Sequence, residues 1–148
     1  MTIRGGAWLL LSAGVMMGQT LNNATLSGKY YFRHLLFTTD TSENITDMRS
    51  LLGAVTFDGV SSFSFTGQQT TGSNPPAALS GSGTYTMNPA GIVSLTNPQA
   101  ASLTINARYG TAENNEAMVL GSSTEGAANS FDLFVAVQAP TAPASSAS

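Results

Sequence analysis

The chain has 148 residues, enough for one domain, and charged residues make up only 9% of it, with a formal net charge of -3. So few cations cannot neutralise many phosphates, which excludes a nucleic-acid binder of the usual basic kind. The absence of cysteine and the single histidine exclude disulfides, thiolate metal sites and any site built on two imidazoles. A hydrophobic share of 42% excludes a disordered chain.

Residues 1–20 are predicted to form a signal peptide. Arg4 precedes an apolar run over residues 5–18 that is too short to cross a bilayer as a helix. A buried or frayed N-terminal helix is the alternative. An exported domain without disulfides fits a bacterial envelope or exterior. We therefore expect a secreted or cell-envelope (extracytoplasmic) protein that does not span a membrane after signal cleavage.

Residues 139–148 form an uncharged tract of proline, alanine, serine and threonine. Such a tract cannot bury apolar surface, and it is predicted to be a linker or tail. A linker favours a chain that is the N-terminal part of a larger extracellular protein, whereas a frayed end is the alternative. The folded domain is then predicted over residues 21–138.

Between these ends, apolar residues alternate with polar ones at a period of two, which predicts an all-β fold. An up-and-down antiparallel barrel or a sandwich of about eight strands is expected. At most one short helix, or an ordered loop in its place, is expected over residues 41–52, where Ile45, Met48 and Leu52 recur at helical spacing. The predicted strands cover residues 28–37, 51–57, 62–68, 78–87, 92–97, 101–109, 116–122 and 130–138.

The alternation also predicts the length of two hairpin loops. A slip of one residue exchanges the faces of a strand, so an apolar face is shared across each turn only if its loop holds three or five residues. Loops over residues 58–62 and 88–92 pair Phe57 with Phe63 and Met87 with Val93. The sequences of the two hairpins align at an offset of thirty residues. Internal duplication would explain this alignment, and so would a shared strand composition.

The two faces of the predicted sheet differ in chemistry. We expect a filled interior without a ligand-sized pocket, and an exterior of hydroxyl groups. The predicted hydroxyl face consists of Thr56, Ser64, Thr66, Thr84, Thr86, Ser94 and Thr96. The predicted inward set consists of Tyr30, Phe32, Val55, Phe57, Phe63, Phe65, Tyr85, Met87, Val93, Leu95, Leu103, Ile105, Met118, Leu120, Phe131, Leu133 and Val135.

Few residues are candidates for chemistry. His34 alternates with apolar residues and is interpreted as a hydrogen-bonded structural histidine. The segment 40–47 could offer oxygens to calcium, but it lacks the ligand spacing of an EF-hand, which favours a solvated loop. No catalytic, cofactor-binding or metal-binding residue is assigned. The candidate acids are Asp40, Glu43 and Asp47 in one loop and Glu113, Glu116 and Glu125 in another.

The first predicted strand opens with Leu26-Ser27-Gly28-Lys29-Tyr30. This motif resembles the Gly-x-Trp start of the calycin barrels (the lipocalin and avidin group), with Tyr30 where tryptophan is usual. The resemblance implies that Gly28 lets the strand bend and that the ring of Tyr30 plugs the barrel floor. In calycins an arginine from the last strand covers this ring, whereas residues 130–138 contain no arginine.

Four motifs are spread over the chain: Leu26-x-Gly28-x-Tyr30, Thr56-Phe57-Asp58-Gly59, Gly83-Thr84-Tyr85-Thr86 and Ser130-Phe131-Asp132-Leu133-Phe134. Together they are similar to those of secreted β-rich modules of soil acidobacterial type. In that group the module often precedes serine- and proline-rich linkers and further β-domains. The resemblance implies export and modular organisation, and it implies no active site.

These observations favour an exported structural or interaction module that is not an enzyme. A carrier of a small hydrophobic ligand in a calycin-like barrel is the alternative, and a hydrolase is the second alternative. A membrane-spanning barrel is disfavoured because the alternation offers only one apolar face. The expected partner is an unidentified protein or polysaccharide that contacts the hydroxyl face or the segment 40–47.

Overall fold

The structure is a computed structural model, and it describes residues 20–112, 115–124 and 128–140. Eight antiparallel strands close into a barrel in which each strand pairs with the next along the chain and the last pairs with the first. The all-β prediction is therefore confirmed, in its up-and-down barrel form. The strands are β1 (Ser27–Thr39), β2 (Ile45–Asp58), β3 (Ser62–Thr71), β4 (Ala77–Met87), β5 (Ile92–Thr96), β6 (Thr104–Thr111), β7 (Ala117–Ser122) and β8 (Ser130–Gln138).

The helix expected over residues 41–52 is wrong, because β2 already begins at Ile45. Met48 and Leu52 are four residues apart, which is also an even spacing and places both on the outer face of a strand. Because β2 pairs with β1 along nearly its whole length, the segment adopts the strand period of two rather than the helical period. The one helical element among the described residues is a 3-10 turn, Asn23–Thr25, and no helix there has the length and apolarity to cross a membrane.

Both predicted hairpin registers are confirmed. Phe57 pairs with Phe63 across the β2–β3 turn, and Met87 pairs with Val93 across the β4–β5 turn. In each turn the first loop residue closes the backbone with its side chain. Oδ1 of Asp58 accepts hydrogen bonds from three backbone N–H groups, and Oδ1 of Asn88 accepts from two. These side chains satisfy turn amides that the strand ladder leaves unpaired.

Aromatic rings fill the barrel. The ring centroid of Phe57 lies 5.4 Å from that of Tyr30, 5.0 Å from that of Tyr85 and 5.8 Å from that of Phe63. Such edge-on and tilted contacts are the favourable geometries for aromatic pairs. Phe63 occupies the space that an inward glycine leaves, since a Cβ on Gly83 would fall 2.7 Å from the phenyl ring. Large residues therefore pack into the space beside inward glycines.

The segment before β1 closes one end of the barrel, here called the lower end. Leu26 is fully buried in the core, and the Tyr85 hydroxyl donates to its carbonyl oxygen over 2.8 Å. The 3-10 turn is held in the same way, because the backbone N–H of Met87 donates to Oδ1 of Asn23. The opposite end, where β1 stops and β8 begins, is here called the upper end.

The predicted inward set is confirmed for strands β1–β5 and for Ile105, but it is wrong for the last two strands. In β8, Phe134 and Ala136 are buried, whereas Phe131 is 59% and Leu133 is 46% exposed. Apolar residues occupy both faces of β8, so alternation alone misplaced Asp132 outside, although its carboxylate faces the interior. The predicted inward residues that are not in the core are Leu103, Met118, Leu120, Phe131, Leu133 and Val135.

Two phenylalanines of one strand test this face assignment. Replacing Phe134 by Ala is expected to lower the free energy of unfolding by about 3–5 kcal/mol, because it empties a core site. Phe131→Ala removes an exposed ring and is expected to change the stability by about 0.5 kcal/mol or less. Urea denaturation of both variants measures the difference. Equal losses would show that β8 is turned the other way.

Candidate functional site

A buried acid–imidazole pair lies in the upper end of the barrel. Nε2 of His34 is 2.8 Å from Oδ2 of Asp132, and neither side chain is exposed to solvent. The two residues are 98 positions apart in the chain, and the pairing of β8 with β1 brings them together. The ring of Phe134 packs edge-on against the imidazole, with 5.9 Å between the centroids.

The carboxylate of Asp132 is surrounded by hydrogen-bond donors. Oδ1 accepts from the Ser122 hydroxyl (2.6 Å), the Ser123 backbone N–H (2.7 Å) and the Thr124 hydroxyl (3.2 Å). Oδ2 accepts from the Ser123 hydroxyl over 2.7 Å, in addition to the imidazole. Burial raises the pKa of Asp132, but the hydrogen bonds from Ser122, His34 and Ser123 outweigh it and hold the pKa below its ordinary value. The group is therefore a carboxylate at neutral pH.

The imidazole is neutral at the same pH. Burial lowers the pKa of His34, and the hydrogen bond and charge of Asp132 offset this only in part. An ionised carboxylate can only accept, so the ring proton lies on Nε2. Nδ1 then carries a lone pair, and it has no hydrogen-bond partner among the described residues.

The β5–β6 loop ties into the same cluster. Asn97 is 1% exposed, and its amide donates to the Ser123 hydroxyl over 2.8 Å. Nε2 of Gln99 donates to the backbone carbonyl of His34 over 3.1 Å. The cluster thus joins β1, the β5–β6 loop and the β7–β8 hairpin at the point where the last strand meets the first.

The arrangement differs from a nucleophilic triad. In a triad the acid binds one ring nitrogen and a serine hydroxyl binds the other, so that the imidazole takes the hydroxyl proton. Here the hydroxyls of Ser122 and Ser123 donate directly to the carboxylate, and no described hydroxyl reaches Nδ1 of His34. The geometry supports hydrogen bonding and strand attachment rather than activation of a nucleophile.

The predicted acidic residues of the segment 40–47 do not gather into a site. The carboxylate of Asp40 accepts from the backbone N–H groups of Ser42 and Asn44 within its own turn. Hydrogen bonds from the Asn44 side chain, the Asn44 backbone and the Ser42 backbone lower the pKa of Asp40, and the first of these has the largest effect. Asp47 pairs with Arg49 over 2.7 Å. Glu43 has a left-handed backbone, with φ of 65°.

Of the second predicted group of acids, the structure describes Glu116. Glu116 lies in the β6–β7 connection at the lower end of the barrel, away from the segment 40–47. Glu113 and Glu125 lie outside the described residues. Among the residues that the structure describes, no three histidine or acidic side chains come close enough to hold a metal ion.

The sequence analysis interpreted His34 as a hydrogen-bonded histidine, which the bond to Asp132 bears out, but it did not include Asp132 among the candidate acids. One signal could have found it: Asp132 is the only charged residue in an otherwise apolar strand. An acid in such a strand, together with one histidine at an inward position, indicates a buried pair. Comparison of the chain with protein-family models, with curated proteins and with solved structures gives no significant match, so the site is interpreted from its own chemistry.

The pair makes stability depend on pH with a defined sign. The pKa of His34 is lower in the folded than in the unfolded protein, so the unfolded state binds more protons below about pH 6.5. We expect the free energy of unfolding to be constant above pH 7 and to fall as the pH drops through 6 towards the folded pKa. Asp132 adds a further loss below about pH 4, since its folded pKa is also lowered.

Two measurements check this pH dependence and the protonation state of His34. The slope between pH 6.5 and 5 should shrink in His34→Gln, whose amide still donates to Asp132 but does not titrate there. Because the chain has one histidine, its NMR imidazole signals report His34 directly, with a protonated Nε2 and a midpoint below about 6.5. A midpoint above that value would mean a charged imidazolium and would contradict the assignment.

Proposed function

We propose that this chain is an exported, non-catalytic module that acts through its outer surface. One observation carries the proposal. The cluster that combines an acid, an imidazole and hydroxyl groups has its acid and its base fully buried. A catalytic acid or base must come within hydrogen-bond reach of its substrate. Nε2 of His34 and both carboxylate oxygens of Asp132 instead bond to the protein itself, and Nδ1 of His34 is buried.

Export is supported by the first residues of the chain. Arg4 followed by the apolar run over residues 5–18 has the order of a signal peptide. The low charge and the absence of cysteine suit an extracytoplasmic bacterial protein. The uncharged tract over residues 139–148 supports a linker to further extracellular domains. The resemblance to secreted β-rich modules points in the same direction.

A small-ligand carrier is the main rival, because a closed eight-stranded barrel is compatible with one small ligand inside. Ligand sites have volumes of about 300–1,000 Å³. In this barrel the rings of Tyr30, Phe57 and Tyr85 contact one another where such a ligand would lie. The packing therefore favours a module that binds a protein or polysaccharide partner from outside.

Export is tested on the protein recovered from its native cells. Mass spectrometry should find an N-terminus near residues 19–21 in the extracytoplasmic fraction, since cleavage is expected after the apolar run. An intact Met1 in the cytoplasmic fraction would contradict export.

The carrier is tested with a small hydrophobic fluorescent probe. The native barrel should show no saturable binding, because its interior is filled. Phe57→Ala opens a cavity between the neighbouring rings and serves as the positive control, provided that the variant stays folded by circular dichroism. Saturable binding to the native barrel, competed by fatty acids, would favour the carrier.

A further inference from the structure

The outer surface of the barrel has two chemically different halves. On β3, β4 and β5 the outward side chains are mainly serine and threonine, as predicted, and those of Ser64, Thr66 and Thr84 are exposed. On β1, β2, β7 and β8 the outer face carries large apolar side chains. We call this half the apolar flank; it consists of Tyr31, Leu35 and Phe37 in β1, Met48 and Leu52 in β2, Met118 and Leu120 in β7, and Phe131, Leu133, Val135 and Val137 in β8.

The apolar flank is continuous across strands. Leu35 pairs directly with Leu133, and Leu120 pairs directly with Val135. Side chains that face each other in this way are about 4.5–5.5 Å apart at Cβ, so they form one surface. Phe131 is 59% and Leu52 is 52% exposed. Contiguous apolar patches of more than a few hundred Å² are rare on monomeric soluble proteins and mark interaction sites.

The charges that accompany the apolar flank are positive. Lys29 and Arg33 both point outward from β1. The outward side chains next to them along this strand are all uncharged. The Lys29 ammonium lies 5.2 Å from the ring centroid of Tyr31. Arg108 lies opposite Leu120 at the border of the flank. All three cationic residues are exposed.

The acids of these strands point elsewhere. Asp132 faces the interior, Asp47 pairs with Arg49, and Asp58 binds the amides of its own turn. The acids within the strands of the flank are therefore engaged in other contacts, whereas Lys29, Arg33 and Arg108 are exposed beside its apolar residues.

A groove at the border of the flank brings both kinds of group together. It has a volume of about 460 Å³ and is lined by Leu120, Leu133 and Arg108 among others. Apolar walls beside a cation are the chemistry that an acyl chain and its anionic headgroup require.

We propose that the apolar flank docks onto an anionic lipid bilayer surface, with its apolar side chains at the boundary of headgroups and acyl chains and with Lys29, Arg33 and Arg108 near the lipid phosphates. Aliphatic and aromatic side chains gain free energy by entering that boundary, and each cation near an anionic leaflet adds to it. The inference rests on the proposed surface-acting module, but it does not require export.

Shape and charge favour lipid over other occupants. The flank covers four adjacent strands of an eight-stranded barrel and is therefore convex. A fluid bilayer adapts to a convex surface, whereas a rigid protein would need a matching concave groove with acidic groups. A two-fold interface with a second copy would join two surfaces that both carry Lys29, Arg33 and Arg108, so their charges would not be complementary. Residues 141–148 are a poor match for the flank, because they contain no acidic side chain for its cations and no large side chain for its apolar surface.

Vesicle co-sedimentation tests the proposal with the protein as recovered from its native cells. The chain should bind vesicles of phosphatidylglycerol and phosphatidylcholine and bind pure phosphatidylcholine more weakly. The double variant Phe131→Ser/Leu133→Ser should lose at least about tenfold in partitioning, since it removes two exposed apolar groups. Arg33→Gln should lose about fivefold on anionic vesicles only.

Matched controls separate the flank from the rest of the chain. Val60→Ser removes an apolar side chain that is 69% exposed in the β2–β3 loop, and it should leave partitioning unchanged. Binding that survives the double variant would show that the exposed apolar residues of β8 do not contact the membrane, and it would overturn the proposal. Absence of binding to either vesicle would also overturn it, in favour of an acidic protein partner, and would leave the export result untouched.

Discussion

The hydrogen bond between His34 and Asp132 decides which face of β8 turns inward. Side chains alternate along a strand, so an inward Asp132 forces Phe134 and Ala136 into the core and leaves Phe131 outside. Burying a carboxylate without partners costs several kcal/mol or more. Here the imidazole, three hydroxyls and a backbone N–H surround it. These donors make the inward position of Asp132 possible, and that position places Phe134 and Ala136 in the core.

The same interaction holds the barrel closed. In an up-and-down barrel the contact between the first and last strands is the one with the greatest sequence separation, and it has the highest cost in loop-closure entropy. The ladder from Tyr30 to Thr38 supplies the backbone pairing at this seam. The buried cluster adds side-chain bonds at its upper end and attaches the β5–β6 loop through Asn97. A one-residue slip of β8 would turn both Phe134 and Asp132 outward, away from the core and from the imidazole.

The limits of the sequence analysis have physical causes. Strands β1–β5 and two hairpin registers were predicted because one face of each strand is clearly apolar, so that parity fixes the pairing of Phe57 with Phe63. The start of β2 was missed because even spacing in a strand also fits a helix. The face of β8 was missed because both faces are apolar, and only a partner 98 residues away places Asp132. Local periodicity contains no information about that partner.

The division of the outer surface into an apolar half and a hydroxyl-rich half follows from this orientation of β8. If Asp132 faced solvent, Phe131 and Leu133 would lie inside, and the outer face of β8 would carry the carboxylate beside Phe134 and Ala136. With the acid buried, β8 presents apolar residues on both faces, and its pairing with β1 and β7 extends them into one flank. The buried acid also removes the one negative charge that β8 could have placed beside Arg33. The polar group inside and the apolar, positive surface outside are thus two consequences of one strand orientation.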